Sequence, residues 1–230
     1  MIDLLNPAGA AKDIVSMTVH MSTANIITLS RLPLLLLVVV LLYLPWAWAL
    51  FTALFLLPIL YLMDWFDGYV ARYKNQVTDL GSVLDIAIDR VVENVLWIVF
   101  AHQYKIPVWI PILFIVRSFV VDGMRGYALA ARGQSAFGMM SSKWGRFLVA
   151  GRFMRGFYGL TKGLAFGALT LTSALSALGT QAVFDWAWVF RVQPILVYLS
   201  VALCIVRGVP VILDTRSLLE KPDLEKTDLK

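Results

Sequence analysis

The sequence has few residues that could cross-link the chain or bind soft metals. Of its 230 residues one is cysteine and two are histidine, namely Cys204, His20 and His102. A single thiol excludes an internal disulfide and a metal site built from several thiolates. Charged residues are also scarce, at 15% of the chain, against about 25% in ordinary globular domains. Metal chemistry would therefore rest on oxygen ligands or on the two histidines, which lie in different inter-span segments.

Apolar residues, in contrast, are abundant. Hydrophobic residues make up 60% of the chain and the mean hydropathy is +0.76, which predicts an all-α integral membrane protein. The net charge of +5 comes from basic residues spread over the segments between apolar runs. Such a distribution favours membrane lipids and phosphate compounds as partners over nucleic acid.

Six apolar runs are long enough to cross a hydrocarbon core, which takes about 20 helical residues. They predict six transmembrane helices, at 25–44, 47–72, 82–101, 107–131, 146–178 and 186–213. We expect three parts: an N-terminal juxtamembrane segment at 1–24, a six-helix transmembrane catalytic domain at 25–213 and a cytoplasmic tail at 214–230.

Lysine and arginine predict the orientation, because the loops that carry them face the cytoplasm. They are concentrated in the loops on one side of the six runs. We therefore expect a multi-pass protein of the cell (inner) membrane with both termini and the active site cytoplasmic. Arg152, Arg155 and Lys162 lie in the first half of the fifth run, where they either snorkel to the surface or face a polar cavity.

Four aspartates mark the end of the second run and the start of the third. Asp64 and Asp67 are three residues apart and Asp85 and Asp89 are four apart, so each pair shares one helix face. Any one of them could be a helix cap or a surface charge, but four carboxylates on adjacent faces repel each other unless cations bind. Carboxylate oxygens suit Mg²⁺ or Mn²⁺, and a set of this size can hold two such ions. The spacing predicts a metal site with Asp64, Asp67, Asp85 and Asp89 as ligands.

Small and basic residues stand between these carboxylates. Gly68 and Ala71 leave the helix surface open to a ligand, and Gly81 does the same at the mouth of the third run. Arg72 places a permanent positive charge near the metal cluster, suitable for a phosphate oxygen. Together these residues predict a pocket for a metal-bound pyrophosphate at the membrane surface.

Further cations predict a second, phosphorylated substrate. Arg117, Arg125 and Lys143 lie in spans or loops that could supply counter-charges to a phosphate dianion. Arg117 stands inside an apolar run and needs a partner there, so a purely structural ion pair with Asp122 is the alternative. We interpret Glu93, one turn beyond Asp89, as a carboxylate that supports the site or pairs helices, and not as a metal ligand.

A divalent-cation transporter would also place aspartates within a membrane. Its ion path, however, would need polar residues through the full depth of the bilayer. Here the polar residues cluster toward one side, and the other halves of the runs are mostly Leu, Val, Ile, Phe and Trp. The pattern favours an enzyme over a transporter.

The eight fixed residues between Asp64 and Asp89 follow the pattern D-x2-D-G-x2-A-R-x8-G-x3-D-x3-D. This pattern resembles the signature of the CDP-alcohol phosphatidyltransferase family. The resemblance implies the six-helix CDP-alcohol phosphotransferase fold, usually a homodimer, and a reaction in which an alcohol displaces CMP from a CDP-linked lipid. It also implies that Asp64, Asp67 and Asp85 bind the metals and that Asp89 is the catalytic base.

Within that family the chain is similar to the phosphatidylglycerophosphate synthases. The similarity lies in ANIITLSRLPL at 24–34, in the DWFDGYVAR run and in RSFVVDGMR at 117–125. It implies CDP-diacylglycerol as the donor, contacting Gly68, Arg72 and Gly81, and glycerol 3-phosphate as the acceptor. Inositol phosphate or another alcohol is the alternative acceptor.

Overall fold

The fold was analysed in a computed structural model, which describes residues 23–73, 79–132, 151–179 and 186–219. Within these ranges the chain forms six long helices. They are α1 Thr23–Tyr43, α2 Ala47–Tyr73, α3 Asp79–His102, α4 Trp109–Arg132, α5 Arg152–Ala177 and α6 Ala187–Leu219. The predicted all-α fold is confirmed, and each predicted run corresponds to one helix. The last helix continues to Leu219, past the predicted boundary at 213, and α3 begins earlier than predicted, at Asp79.

Three of the helices are long and apolar enough to cross a membrane, over Asn25–Tyr43, Ala47–Val70 and Ala187–Leu213. Within the described residues the other three, α3, α4 and α5, lack an apolar stretch of that length and carry charged residues along the helix. Several of these charged side chains face a shared cavity, described below, and not the outside of the bundle. Large apolar side chains such as Leu36, Phe55 and Phe119 are exposed on the outside, as expected for a surface in contact with lipid.

Aromatic side chains fill the centre of the bundle. The ring of Trp97 on α3 lies 4.6 Å from Phe114 on α4 and 4.4 Å from Phe166 on α5, between ring centroids. All three side chains are almost completely buried. Aromatic pairs at such distances add to the free energy gained by burial, so this cluster fixes α3, α4 and α5 against each other.

Polar contacts tie α1 to α3 at the end of the bundle far from the aspartates. The Tyr43 hydroxyl lies 2.9 Å from Nδ1 of His102, and Nε2 of Gln103 donates to the backbone oxygen of Leu42 at 2.7 Å. These contacts place the last residues of α1 and α3 at the same end, so the two helices run parallel. The N-terminal halves of both helices therefore meet at the opposite end, beside the C-terminal half of α2.

Candidate active site

Three of the four predicted aspartates converge between α2 and α3. One oxygen from each of Asp64, Asp85 and Asp89 lies within 4.8 Å of the other two. The three side chains are 37%, 44% and 46% exposed, respectively. The carboxylates thus share a partly open site at the polar end of the bundle, as their spacing along the helices predicts.

Arg31 of α1 lies at the centre of this cluster. Its Nη1 donates to Oδ1 of Asp64 at 2.7 Å, and its Nη2 donates to Oδ1 of Asp89 at 2.7 Å. Nη1 also lies 3.8 Å from Oδ1 of Asp85. The arginine side chain is only 1% exposed, so a buried permanent cation joins α1 to the acidic faces of α2 and α3.

Arg31 is not among the site residues predicted from the sequence. The signal was available, because an arginine inside an apolar run needs a partner of opposite charge. The partners themselves stand 33 and 58 residues further along the chain. No local spacing indicates which of the aspartates an arginine that distant contacts.

The donor atoms fit a divalent metal of the hard type. Among the described residues, three carboxylates face the guanidinium of Arg31, so acidic groups outnumber the cation that contacts all of them. Closely spaced carboxylate oxygens are the ligands that Mg²⁺ and Mn²⁺ prefer. Asp67 belongs to α2, but its side chain lies outside the part of the structure that is described.

The remaining predicted residues are placed to different degrees. Gly68 lies in α2 and Gly81 in α3, near the ends of these helices that carry the aspartates. Ala71 and Arg72 belong to α2 and Arg125 to α4, with side chains outside the described part, and Lys143 lies outside the described residues altogether.

A polar cavity of about 580 Å³ extends from the aspartates toward α4, α5 and α6. Its charged lining consists of Arg31, Asp64, Asp89, Arg90, Glu93, Arg117, Arg155, Lys162 and Arg207. Six of these side chains are cations and three are carboxylates, so the wall carries an excess of positive charge. Arg155 and Lys162 line this cavity, as the second predicted alternative for these two residues expects, and the side chain of Arg152 lies outside the described part.

Ion pairs connect α3 to its neighbours along the cavity wall. Lys162 Nζ donates to Oε2 of Glu93 at 2.6 Å, which confirms Glu93 as a helix-pairing carboxylate. Arg90 Nε donates to Oδ2 of Asp122 at 2.7 Å. Asp122, which the sequence offers as a partner for Arg117, is thus engaged by an arginine of α3.

Arg117 is held at the cavity by a close approach of α4 and α6. A Cβ atom at Gly208 would lie 3.2 Å from Cγ of Arg117, so the absence of a side chain there makes room for the arginine. The buried Nε of Arg117 has no hydrogen-bond partner among the described residues. The guanidinium therefore retains donor capacity for a ligand in the cavity.

Two more cations are arranged around the ring of Tyr158. Lys162 Nζ lies 4.2 Å from the ring centroid and the guanidinium carbon of Arg207 lies 5.3 Å from it. Cations at these distances are attracted to the face of the ring. The tyrosine thereby holds a lysine of α5 and an arginine of α6 at the same wall.

A second cavity, of about 800 Å³, adjoins the polar one between α2, α5 and α6. Its lining is almost entirely apolar and includes a glycine ladder on α5, formed by Gly159, Gly163 and Gly167. Outside the helix's own backbone, no described atom lies within 4 Å of the position that a Cβ would take at Gly159 or Gly163. Tyr61 and Gly159 line both cavities, so the apolar space lies directly beside the polar site.

Comparison with known proteins agrees with the sequence signature. The sequence model of a family described as CDP-alcohol phosphatidyltransferase matches residues 21–206. Three similar curated proteins are all named CDP-diacylglycerol--glycerol-3-phosphate 3-phosphatidyltransferase. The protein from Salmonella choleraesuis is 32% identical over 104 residues, 44% of this chain and 57% of the relative. The protein from Escherichia coli K12 is 30% identical over 104 residues, with the same shares of 44% and 57%.

The third relative, from Bacillus subtilis, is 36% identical over 80 residues, 35% of this chain and 41% of the relative. The chain thus spans about half the length of the curated relatives it matches. The family match itself covers most of the chain and includes all four aspartates and Arg31. The chain therefore belongs to the CDP-alcohol phosphatidyltransferase family.

Proposed function

We propose that this protein transfers the phosphatidyl group of CDP-diacylglycerol to glycerol 3-phosphate and releases CMP, a step of phospholipid biosynthesis. The observation that carries the proposal is the convergence of Asp64, Asp85 and Asp89 at one end of a cation-lined cavity. The names of the curated relatives support the same donor and acceptor.

The donor pyrophosphate belongs at the aspartates. Asp64, Asp67, Asp85 and Asp89 would hold Mg²⁺ or Mn²⁺, and a set of four carboxylates has room for two such ions. When bound, these ions polarise the pyrophosphate and stabilise the negative charge of the departing CMP. Gly68, Ala71, Arg72 and Gly81 are proposed to contact the CDP moiety, because they stand between the carboxylates on the same two helices.

The acceptor phosphate belongs in the cation-rich part of the cavity. A phosphate dianion needs several donors, and Arg117, Arg155, Lys162 and Arg207 line this space from three helices. Arg125 and Lys143, predicted from the sequence, remain proposed members of this set. The excess of positive charge favours a phosphorylated acceptor over a neutral alcohol.

Asp89 is proposed as the base. The primary hydroxyl oxygen of glycerol 3-phosphate forms a bond to the β-phosphorus of CDP-diacylglycerol, while the bond from that phosphorus to the bridging oxygen breaks and CMP leaves. The hydroxyl proton passes to the Asp89 carboxylate. Arg31 donates to Oδ1 of Asp89, which orients the carboxylate before the metal binds.

The diacylglycerol part of the donor fits the apolar cavity. Its lining on α2 runs from Leu54 to Leu62, directly before Asp64. At about 1.5 Å per residue, Leu54 lies about 15 Å along the helix from Asp64, which is about half of a hydrocarbon core of about 30 Å. The apolar cavity thus has about the depth of one leaflet and adjoins the phosphate site at Tyr61 and Gly159.

We further propose the setting in which this reaction takes place. The chain forms a homodimer in the cell (inner) membrane, with a six-helix catalytic domain at 25–213 between a juxtamembrane segment at 1–24 and a cytoplasmic tail at 214–230. Both termini and the active site face the cytoplasm. The distribution of lysine and arginine supports this orientation, and the water-soluble acceptor and CMP are then on the side where the polar cavity lies.

An acceptor-panel assay tests the function. Purified full-length protein in lipid nanodiscs is incubated with CDP-dioleoylglycerol and Mg²⁺ plus glycerol 3-phosphate, inositol 1-phosphate, glycerol or serine. We expect CMP release and phosphatidylglycerophosphate only with glycerol 3-phosphate, and neither product with EDTA or in an Asp85→Asn variant. CMP release with inositol phosphate but not with glycerol 3-phosphate would identify the alternative acceptor and overturn the choice made here.

A further inference from the structure

Arg31 is a buried residue of the site. In the proposed reaction its one role is to orient Asp89. Its guanidinium bonds to Oδ1 of Asp64 and to Oδ1 of Asp89, at 2.7 Å each, and lies 3.8 Å from Oδ1 of Asp85. The same three carboxylates form the cluster that would hold a metal. A divalent cation and the guanidinium thus share their carboxylate partners.

The permanent charge of arginine means that Arg31 and a metal ion compete for the same carboxylates. A guanidinium stays protonated at any pH that a protein experiences, so Arg31 contributes a constant positive charge beside the aspartates. With 1% of its side chain exposed, it is shielded from water, which would otherwise weaken its interactions with neighbouring charges. Arg31 attracts the carboxylates toward each other, and it repels a second cation among them.

We propose that Arg31 is the resident counter-cation of the metal site. It holds the aspartates of α2 and α3 together while no metal is bound, and it lowers the affinity for divalent ions because it competes for Asp64 and Asp89. Metal binding then weakens the contact between Arg31 and Asp89. Arg31 is therefore a positioning residue that links metal loading to the release of the proposed base.

Metal binding without substrate tests this inference, which rests on the metal dependence of the proposed function. Full-length wild type and Arg31→Gln, both in nanodiscs, are titrated with Mn²⁺, and free Mn²⁺ is followed by electron paramagnetic resonance. Removal of a charge next to the site should tighten Mn²⁺ binding at least about tenfold. The Tm of the metal-free variant should fall, because the carboxylates lose their counter-ion, and saturating Mn²⁺ should raise it by more than it raises the Tm of wild type.

A matched control removes an equal charge from another place in the cavity. Lys162 is a buried cation that lines the same space and is ion-paired with Glu93 at 2.6 Å. Lys162→Gln should also lower Tm, but its Mn²⁺ affinity should stay within about threefold of wild type, since its partner lies outside the aspartate cluster. Equal tightening in both variants would indicate a general charge effect and contradict a specific role of Arg31.

Arg31→Lys covers the case in which the glutamine variant does not fold. Lysine keeps the charge but has one compact ammonium in place of the two-armed guanidinium, so it cannot bridge Asp64 and Asp89 in the same way. We expect a folded protein that binds Mn²⁺ more tightly than wild type. Weaker or unchanged Mn²⁺ binding in a folded Arg31 variant overturns the inference but leaves the proposed function standing, whereas a wild type that binds no Mn²⁺ overturns both.

Discussion

Asp89 is the residue whose substitution separates chemistry from binding most clearly. Arg31 bonds to its Oδ1, and asparagine offers a similar oxygen at the same position without the capacity to take up a proton. Loss of a general base costs about 100-fold to 10,000-fold in rate. We therefore expect Asp89→Asn to lower kcat at least about 100-fold in the CMP-release assay, with Tm close to that of wild type.

The Mn²⁺ titration keeps the two proposed tasks of Asp89 apart. If the variant binds Mn²⁺ like wild type but has lost turnover, the base role accounts for the loss. Undiminished CMP formation in Asp89→Asn would remove this residue from the base role.

Prediction of the site from sequence succeeded where the residues are close together in the chain. Asp64, Asp85 and Asp89 converge as their helical spacing indicates, because they lie on two helices that follow each other directly in the chain. Arg31 and Arg207 were not identified as parts of the site. They reach it from α1 and α6, and such contacts depend on how distant helices pack, for which local spacing contains no information.

At the scale of helices, the glycine ladder of α5 gives the most selective test. Gly163 lines the apolar cavity and has no atom within 4 Å of the position of an added Cβ. Gly163→Leu should thus extend its side chain into the cavity and occupy part of it. We expect kcat/KM for CDP-dioleoylglycerol to fall about tenfold, since about 1.4 kcal/mol of acyl-chain contact is lost, while a dihexanoyl donor keeps its rate.

Gly123→Leu on α4 is the matched control. Gly123 is exposed, has no atom within 4 Å of an added Cβ and is absent from the lining of both cavities. The same substitution there should leave the preference between donors unchanged. An equal loss with long and short donors in Gly163→Leu would place the acyl chains elsewhere.

Helix positions were predictable because apolar runs of sufficient length have few alternatives in a membrane. The contacts inside the bundle were harder to predict from the sequence. The charges of α3, α4 and α5 lower the apolarity of these helices, and only their partners explain them: Glu93 accepts from Lys162, and Asp122 accepts from Arg90. A pattern within one helix indicates a polar face but not which helix covers it.

For the whole molecule, the orientation in the membrane can be tested by labelling introduced cysteines, because the chain has a single native thiol. Cys204 is buried, so an introduced cysteine is the main target of a membrane-impermeant maleimide. Tyr104, in the turn after α3, is 96% exposed, and Tyr73, at the end of α2, is 78% exposed. In intact spheroplasts we expect labelling of Tyr104→Cys, and labelling of Tyr73→Cys only after the membrane is permeabilised.

Wild type provides the background for this experiment, and its buried thiol should stay unlabelled. Labelling of Tyr73→Cys from outside, with protection of Tyr104→Cys, would reverse the proposed orientation. The sequence predicts the orientation through its loop charges. The homodimer depends on contacts with a second copy, which the fold of one chain does not contain.

The wall shared by the two cavities, at Tyr61 and Gly159, has a consequence for how the lipid is handled. In the proposed reaction, a donor whose tails occupy the apolar space would present its phosphates directly to the aspartates, and the product would keep the same tails. Turnover would then exchange one headgroup for another while the hydrocarbon chains stay out of water. Only CMP and glycerol 3-phosphate would have to cross the aqueous boundary, and the finished lipid would diffuse sideways into the leaflet from which its precursor came.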